Sequence, residues 1–130
     1  MSSILELKEK VKHLKVLFVD DENDIRKGTS IFLRKFFDDV VVSSDGIEGL
    51  NAFTEESNFD IVITDVLMPN MNGIEMIKEI KKIDKNNVFV IFLTASRGLK
   101  DLDKNLSNIT LQKPLSFEDM TYIMQQLSEI

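Results

Sequence analysis

Five short apolar runs, each followed by a stretch with helical spacing, constrain the fold of this chain more than any other feature. The runs are continuous rather than alternating and rich in Val and Ile, which is typical of strands that helices bury on both faces. They are KVLFVD (15–20), DVVVSS (39–44), DIVITD (60–65), NVFVIFLT (87–94) and NITLQK (108–113).

The stretches between and after these runs carry apolar residues every three or four positions, as the buried face of a helix does. The stripes are Ile25, Phe32 and Phe36; Ile47, Leu50 and Phe53; Ile74, Ile77 and Ile80; a weaker one of Leu99, Leu102 and Leu106; and Phe117, Met120, Ile123 and Leu127. Ser116 and Asp119 predict a capped start for the last helix. Five β-α units in succession predict an α/β fold, an open parallel sheet with helices on both faces.

The length of 130 residues predicts one domain, which we assign to residues 15–130, because a single core commonly serves about 100–150 residues. In the preceding residues 1–14, Ser3 and Glu6 fit a capping box. Four apolar residues recur there at helical spacing, namely Ile4, Leu7, Val11 and Leu14. We interpret residues 1–14 as a leader helix packed on the domain; the alternative is a linker or an association helix.

Composition narrows the classes of function. With 22 acidic and 16 basic residues the net charge is -6, which argues against direct nucleic-acid binding, because that needs clustered Lys and Arg. The absence of cysteine excludes disulfides and thiolate metal sites. No apolar run approaches the roughly 20 residues of a membrane span, and no signal peptide is visible, so we expect a cytoplasmic protein without membrane insertion.

Polar residues stand where the predicted strands end. Asp20 and Asp21 follow the first strand, Asp65 ends the third, Thr94 the fourth and Lys113 the fifth. Each alone has an ordinary structural explanation, such as a helix cap or a solvated lysine. The carboxyl ends of parallel strands share one edge of a sheet, however, and ligands bind there. Five polar residues from four strands at this edge therefore predict a functional site.

Three carboxylates at one edge point to a cation. Two like charges about 4 Å apart at an effective dielectric near 20 repel by roughly 4 kcal/mol, so the acids must be protonated, paired or bridged by a metal. Oxygen donors without Cys or His favour Mg²⁺, Mn²⁺ or Ca²⁺ over zinc, and so few carboxylates leave room for water and a phosphate, as Mg²⁺ prefers. With a hydroxyl and an ammonium group alongside, this pattern predicts phosphoryl transfer to a carboxylate.

The acids of VDDE, the run DVLMPNMNG, the LTA and the KP, in this order, resemble the receiver domain of bacterial two-component response regulators, in a single-domain form like the chemotaxis regulators. The resemblance covers residues 15–130 and implies a flavodoxin-like sheet with strand order 2-1-3-4-5. It implies a phosphorelay module that takes a phosphoryl group from a sensor histidine kinase or phosphotransfer protein and switches binding to an unknown downstream protein. Such a module is no enzyme beyond self-phosphorylation from a phosphodonor and slow autodephosphorylation.

The resemblance also implies a role for each site residue. Asp65 is matched to the phosphoacceptor. Asp21 is matched to the direct Mg²⁺ ligand, together with Asp65 and the backbone carbonyl of Leu67, and Asp20 to a contact through a metal-bound water. The assignments for binding the phosphoryl group are Thr94, Ala95 and Lys113. The bond between Lys113 and Pro114 is expected to be cis, which proline makes accessible.

The sequence departs from the family pattern around the expected switch. Thr110 stands where relatives carry an aromatic residue, so the switch residues are Thr94 and Thr110 without a ring to rotate. The segment 97–108 is short, which predicts a shortened fourth helix. The surface that contacts the downstream protein is therefore left open. Leu67 is apolar and cannot orient a hydrolytic water through its side chain. Pro69 and Gly73 are expected to turn the loop away from Asp65.

Three other functions compete with this interpretation. A haloacid-dehalogenase-like phosphatase needs an aspartate pair separated by one residue and usually a cap domain, and neither is visible. A flavodoxin-like cofactor carrier needs Gly, Ser or Thr where this chain has DDENDIR (20–26). A degenerate receiver that serves only as a docking surface would not need the intact acids, threonine and lysine.

We expect a monomer or weak dimer that signals through protein contact, since no effector domain is visible.

Overall fold

The computed structural model describes residues 3–56, 58–95 and 105–130. Within them a five-stranded parallel sheet has the order β2-β1-β3-β4-β5, which confirms the predicted fold class and strand order. The strands are β1 Lys15–Val19, β2 Asp39–Ser43, β3 Ile61–Asp65, β4 Phe89–Thr94 and β5 Ile109–Gln112. The helices are α1 Ile4–Val11, α2 Asn23–Leu33, α3 Gly46–Glu55, α4 Gly73–Ile83 and α5 Phe117–Ser128.

The three central strands and the two edge strands differ in burial. β3 and β4 are buried at every position and β1 at all but its first residue, as their continuous apolar sequences predict. β2 and β5 are only partly buried, with Asp39, Thr110 and Gln112 exposed. The prediction of strands buried on both faces is therefore wrong for the two edge strands, because each has a neighbouring strand on one side alone.

Two hydrophobic cores lie on opposite faces of the sheet. The first includes residues of α1, α2 and α5, and the second includes residues of α3 and α4. Leu7 and Val11 of α1 are buried in the first core, where α1 contacts α5. The N-cap Ser3 accepts a hydrogen bond from the backbone N–H of Glu6 at 3.2 Å, which is one half of the predicted capping box. Residues 4–11 thus form the expected helix, packed on the sheet domain.

The predicted helical stripes agree with the structure in most positions. Ile77 and Ile80 of α4 are fully buried, and α5 begins with the capping box of Ser116 and Asp119. Three members depart from prediction. Phe36 lies beyond the end of α2 at Leu33, although it is buried. The side chains of Ile47 and Phe117, in the first turns of α3 and α5, are about half exposed.

Part of the predicted fourth helix lies outside the described residues. Leu99, Leu102 and most of the segment 97–108 belong to that part, whereas Leu106 is described and buried in the second core. In the portion of the chain that the structure covers, none of the helices has the length and apolar character to cross a lipid bilayer.

Candidate functional site

Four neighbouring strands deliver the candidate residues to one edge of the sheet. Asp20 follows β1, Asp65 and Thr94 end β3 and β4, and Lys113 follows β5. The backbone N–H of Lys113 donates to the carbonyl of Thr94 at 2.7 Å, which extends the pairing of β4 and β5 beyond the last strand residue. The parallel register thus brings the predicted residues to a common edge, as expected from the ends of their strands.

Asp20, Asp21 and Asp65 form an acid cluster. One carboxylate oxygen from each lies within 4.8 Å of the other two. Asp20 is fully buried and Asp65 is 7% exposed, whereas Asp21 is half-buried. Grouped carboxylate oxygens at this spacing are the hard donors that Mg²⁺ prefers, and the partial exposure of Asp21 leaves a side open to water and a ligand. The donor chemistry of the cluster therefore fits Mg²⁺.

Lys113 neutralises part of this charge. Its ammonium group lies 2.6 Å from Asp20 Oδ2 and 3.1 Å from Asp65 Oδ2. The other carboxylate oxygens of the same two residues accept backbone N–H groups, from Glu22 to Asp20 at 2.9 Å and from Val66 to Asp65 at 2.8 Å. One ammonium group faces three carboxylates, so these four side chains keep two uncompensated negative charges.

Burial and pairing act in opposite directions on the two central groups. Burial is the largest effect on the Asp65 carboxyl; with the charge of Asp20 it raises the pKa above its ordinary value, against the hydrogen bond and charge of Lys113 and the hydrogen bond of Val66. Burial lowers the pKa of the Lys113 ammonium, but the hydrogen bonds and charges of Asp20 and Asp65 outweigh it, so that pKa is raised. Lys113 is therefore a cation at neutral pH, and a second cation beside Asp65 would favour the charged form of its carboxyl.

A cleft of about 150 Å³ opens beside the acid cluster. It is lined by Glu22, Asp65, Val66, Leu67, Thr94, Ala95 and Lys113. The three residues predicted to bind a phosphoryl group therefore share one cavity with the predicted phosphoacceptor. Thr110 does not line this cleft; it is exposed, and its hydroxyl lies 3.1 Å from that of Ser107. The bond between Lys113 and Pro114 is cis, as expected.

Gly73 serves the site by allowing a close approach of backbones. A Cβ at Gly73 would lie 2.1 Å from the carbonyl oxygen of Asp65, so no other residue fits there without a shift. The N–H of Gly73 donates to the carbonyl of Val66 at 2.8 Å and fixes the start of α4 against the end of β3. The positive φ in this loop belongs to Asn70, with φ 69°, whereas Gly73 is the first residue of α4.

Two structural features of the site were missed by the sequence analysis. Arg26 of α2 donates through Nη1 to the carbonyl oxygen of Asp20 at 2.9 Å and through Nη2 to Asn23 Oδ1 at 2.6 Å. A basic residue within the run DDENDIR was the available signal. Asn72 and Glu75 form a capping box that starts α4, and the pattern of Asn followed three residues later by Glu was its signal.

The sequence of this chain is similar to that of known signalling proteins. The family profile described as the response regulator receiver domain matches residues 16–125. The transcriptional regulatory protein CpxR homolog of Haemophilus influenzae is 40% identical over 92 residues, which is 71% of this chain and 38% of that protein. The chain thus spans less than half the length of this relative, as it does for several other curated relatives.

Solved structures share the fold at nearly full length. A response regulator receiver domain protein from Clostridium thermocellum has a TM-score of 0.77 and 32% identity, covering 89% of this chain and 94% of that one. The response regulator protein TrrA of Thermotoga maritima, solved in complex with Mg²⁺-BeF, has a TM-score of 0.77 and 29% identity, covering 88% and 98%.

Proposed function

The chain belongs to the response regulator receiver domain family, and from that premise we propose that Asp65 accepts a phosphoryl group from a phosphohistidine of a sensor histidine kinase or phosphotransfer protein. The observation that carries the proposal is the geometry of the acid cluster. Three carboxylates within 4.8 Å, with the Lys113 ammonium 3.1 Å from Asp65, are grouped beside a cleft that has room for a small anion.

The acid cluster is proposed to hold Mg²⁺. The carboxylates of Asp21 and Asp65 and the backbone carbonyl of Leu67 would bind it directly, and Asp20 would act through a bound water. When present, the ion neutralises charge on the carboxylates and on the incoming phosphoryl oxygens. The similarity to TrrA, a protein solved with Mg²⁺-BeF, supports this choice of cofactor.

In the proposed reaction, a carboxylate oxygen of Asp65 attacks the phosphorus atom. A P–O bond forms as the P–N bond of phosphohistidine breaks, and the bonding electron pair returns to the imidazole nitrogen. The rigid strand β3 and the Val66 N–H at 2.8 Å hold the carboxylate in position, and positioning supplies much of the rate in such reactions. The Thr94 hydroxyl, Ala95 and Lys113 would bind the transferred group.

The new charge is proposed to act through Thr94 and Lys113. A phosphoryl group adds about -1.5 to -2 charge and strong acceptor oxygens, which draw the hydroxyl and the ammonium group toward Asp65. We expect a small shift within residues 94–106 and 109–115, of which 96–104 lie outside the described residues. Coupling of about 1–3 kcal/mol would change the affinity for a downstream protein about 5- to 150-fold.

Several features of the whole protein are part of the same proposal. We propose a cytoplasmic signalling module whose chemistry is limited to self-phosphorylation and slow autodephosphorylation. The exposed, apolar side chain of Leu67 in the cleft supports slow hydrolysis, because it offers no group to orient water. We propose a monomer or weak dimer, with output through protein contact and without direct nucleic-acid binding by this domain. The name of the CpxR homolog describes it as a transcriptional regulatory protein, but this chain matches only 38% of that protein.

Phosphorylation with a small donor tests the proposal. Incubation with acetyl phosphate and Mg²⁺ is expected to add one phosphoryl group, measured by intact mass, and Asp65→Asn is expected to abolish the product. Asp39→Asn, an exposed acid at the start of β2, is the control and should be labelled like the wild type. A phosphoryl label that maps to Thr64 or Thr94 in the wild-type protein would contradict the role of Asp65.

A further inference from the structure

The loop that carries Asp21 is fastened by hydrogen bonds on both sides of that residue. Before it, the N–H of Asp20 donates to the carbonyl of Ser43 at 3.2 Å, and the Asp20 carboxylate accepts from Glu22 and Lys113. After it, the N–H of Arg26 donates to the carbonyl of Glu22 at 2.8 Å. The backbone around Asp21 is therefore closely constrained.

The Arg26 side chain closes this loop from the α2 side. Arg26 is half-buried as a residue, and its guanidinium donates from two nitrogens, to the carbonyl oxygen of Asp20 at 2.9 Å and to Asn23 Oδ1 at 2.6 Å. The planar fork of arginine suits such a double contact, which a lysine cannot reproduce. One side chain thus ties the end of β1 to the first turn of α2.

The acceptor of Arg26 sets where the Cα of Asp21 lies. The Asp20 carbonyl belongs to the peptide unit that joins Asp20 to Asp21, and a peptide unit is planar. Fixing the direction of this carbonyl therefore fixes the N–Cα bond of Asp21, and so places the Cα from which its side chain departs. The Asp21 carboxylate reaches the acid cluster from this position.

We infer that Arg26 is a positioning residue for cation binding: it holds the Asp20–Asp21 peptide so that the Asp21 carboxylate meets those of Asp20 and Asp65. The inference rests on the proposed function, because it concerns the same Mg²⁺ site. Groups that orient metal ligands in this indirect way typically change metal affinity about 10–100-fold when they are removed.

The sign of the effect separates positioning from charge. The positive charge of Arg26 repels a dication, so an arginine that acted by charge alone would weaken Mg²⁺ binding, and its removal would strengthen it. A positioning residue has the opposite effect, because its removal lets the Asp21 carboxylate leave the cluster. A loss of Mg²⁺ affinity on removal of a positive charge therefore has no simple electrostatic explanation.

Titration with Mg²⁺ alone, followed by amide NMR shifts, tests the inference. Arg26→Ala and Arg26→Lys are expected to bind Mg²⁺ about tenfold more weakly than the wild type. Arg34→Ala is the matched control, because Arg34 lies at the far end of α2 and also donates to a backbone carbonyl, that of Val40 at 3.2 Å. We expect its Mg²⁺ affinity to equal that of the wild type.

A second measurement separates positioning from general damage. The Mg²⁺ concentration for half-maximal labelling by acetyl phosphate should rise about tenfold in the Arg26 variants, while the rate at saturating Mg²⁺ approaches that of the wild type. Equal or tighter Mg²⁺ binding by Arg26→Ala would overturn the inference. If that variant does not fold, Arg26→Lys decides in the same way. A wild-type chain that binds no Mg²⁺ would instead overturn the proposed function.

Discussion

Lys113 contacts two of the three acids at the site, and at the residue scale its role can be separated from theirs. Its ammonium group lies 2.6 Å from Asp20 and 3.1 Å from Asp65, and it is the cation whose pKa these two acids raise. The same group that partly neutralises the acid cluster is the one that we expect to move toward a phosphoryl group. We therefore propose that the Lys113 side chain both neutralises part of the acid cluster and responds to the phosphoryl group.

Lys113→Ala is expected to bind Mg²⁺ more tightly while losing the response to phosphorylation. A dication and a unit charge about 5 Å apart repel by roughly 1–2 kcal/mol in a medium as polar as water, so affinity should rise about tenfold. Labelling by acetyl phosphate should persist. Amide hydrogen exchange with and without beryllofluoride should show protection of residues 109–115 in the wild type and none in the variant. Lys27→Ala, an exposed lysine of α2, should match the wild type, and unchanged protection in Lys113→Ala would refute the role of Lys113.

At the element scale, the start of α4 is set by contacts with the end of β3. Gly73 leaves no space for a Cβ beside the Asp65 carbonyl, and the capping box of Asn72 and Glu75 satisfies the first backbone N–H groups of the helix. Strand β3, which ends in the proposed phosphoacceptor Asp65, and the helix that follows it are thus in direct backbone contact. A substitution at this junction should therefore change both the stability of the fold and the labelling of Asp65.

Gly73→Ala should destabilise the fold by about 1–3 kcal/mol and slow the labelling of Asp65, because the added carbon displaces the backbone it meets. Gly28→Ala is the matched control. A Cβ at Gly28 in α2 would meet nothing within 4 Å beyond its chain neighbours and the backbone of its own helix, so the change should stabilise the helix by about 0.5–1 kcal/mol. Urea unfolding measures both values, and a Gly73 variant as stable as the wild type would argue against the close approach.

At the scale of the whole molecule, α1 is part of one core although it precedes the first strand. Leu7 and Val11 are buried beside residues of α5, while Leu5 on the opposite side of α1 is 75% exposed. The first core therefore spans residues from both ends of the described sequence. The packing of α1 is therefore expected to contribute to the free energy of unfolding of the domain.

Leu7→Ala is expected to lower the free energy of unfolding by about 2–5 kcal/mol, as removal of a buried leucine usually does. Leu5→Ala changes the same residue type on the same helix, and its exposure predicts an effect within about 0.5 kcal/mol. The urea midpoints of the two variants give the comparison. Equal midpoints would mean that α1 behaves as a linker rather than as part of the core.

The sequence predicted the layered sheet and the strand-end residues because both depend on local patterns. Continuous Val and Ile runs marked β1, β3 and β4, and the polar residues that ended those runs marked the site. The exposure of Ile47 and Phe117 was not predictable, because it depends on how each helix lies against the sheet. The hydrogen bonds of Arg26 also escaped prediction, since a side chain that reaches a backbone carbonyl leaves no periodic signal.

The crowding of Asp20, Asp21 and Asp65 has a thermodynamic consequence for the entire chain. A cation that binds only the folded state adds stability by linkage, about 2.7 kcal/mol at a concentration one hundred times its dissociation constant. We therefore expect the melting temperature to rise with Mg²⁺ in the wild type and to stay constant in Asp21→Ala. An identical rise in both proteins would place the binding elsewhere. With Mg²⁺ bound at the acid cluster, the folded fraction of this domain would depend on the free magnesium concentration around it.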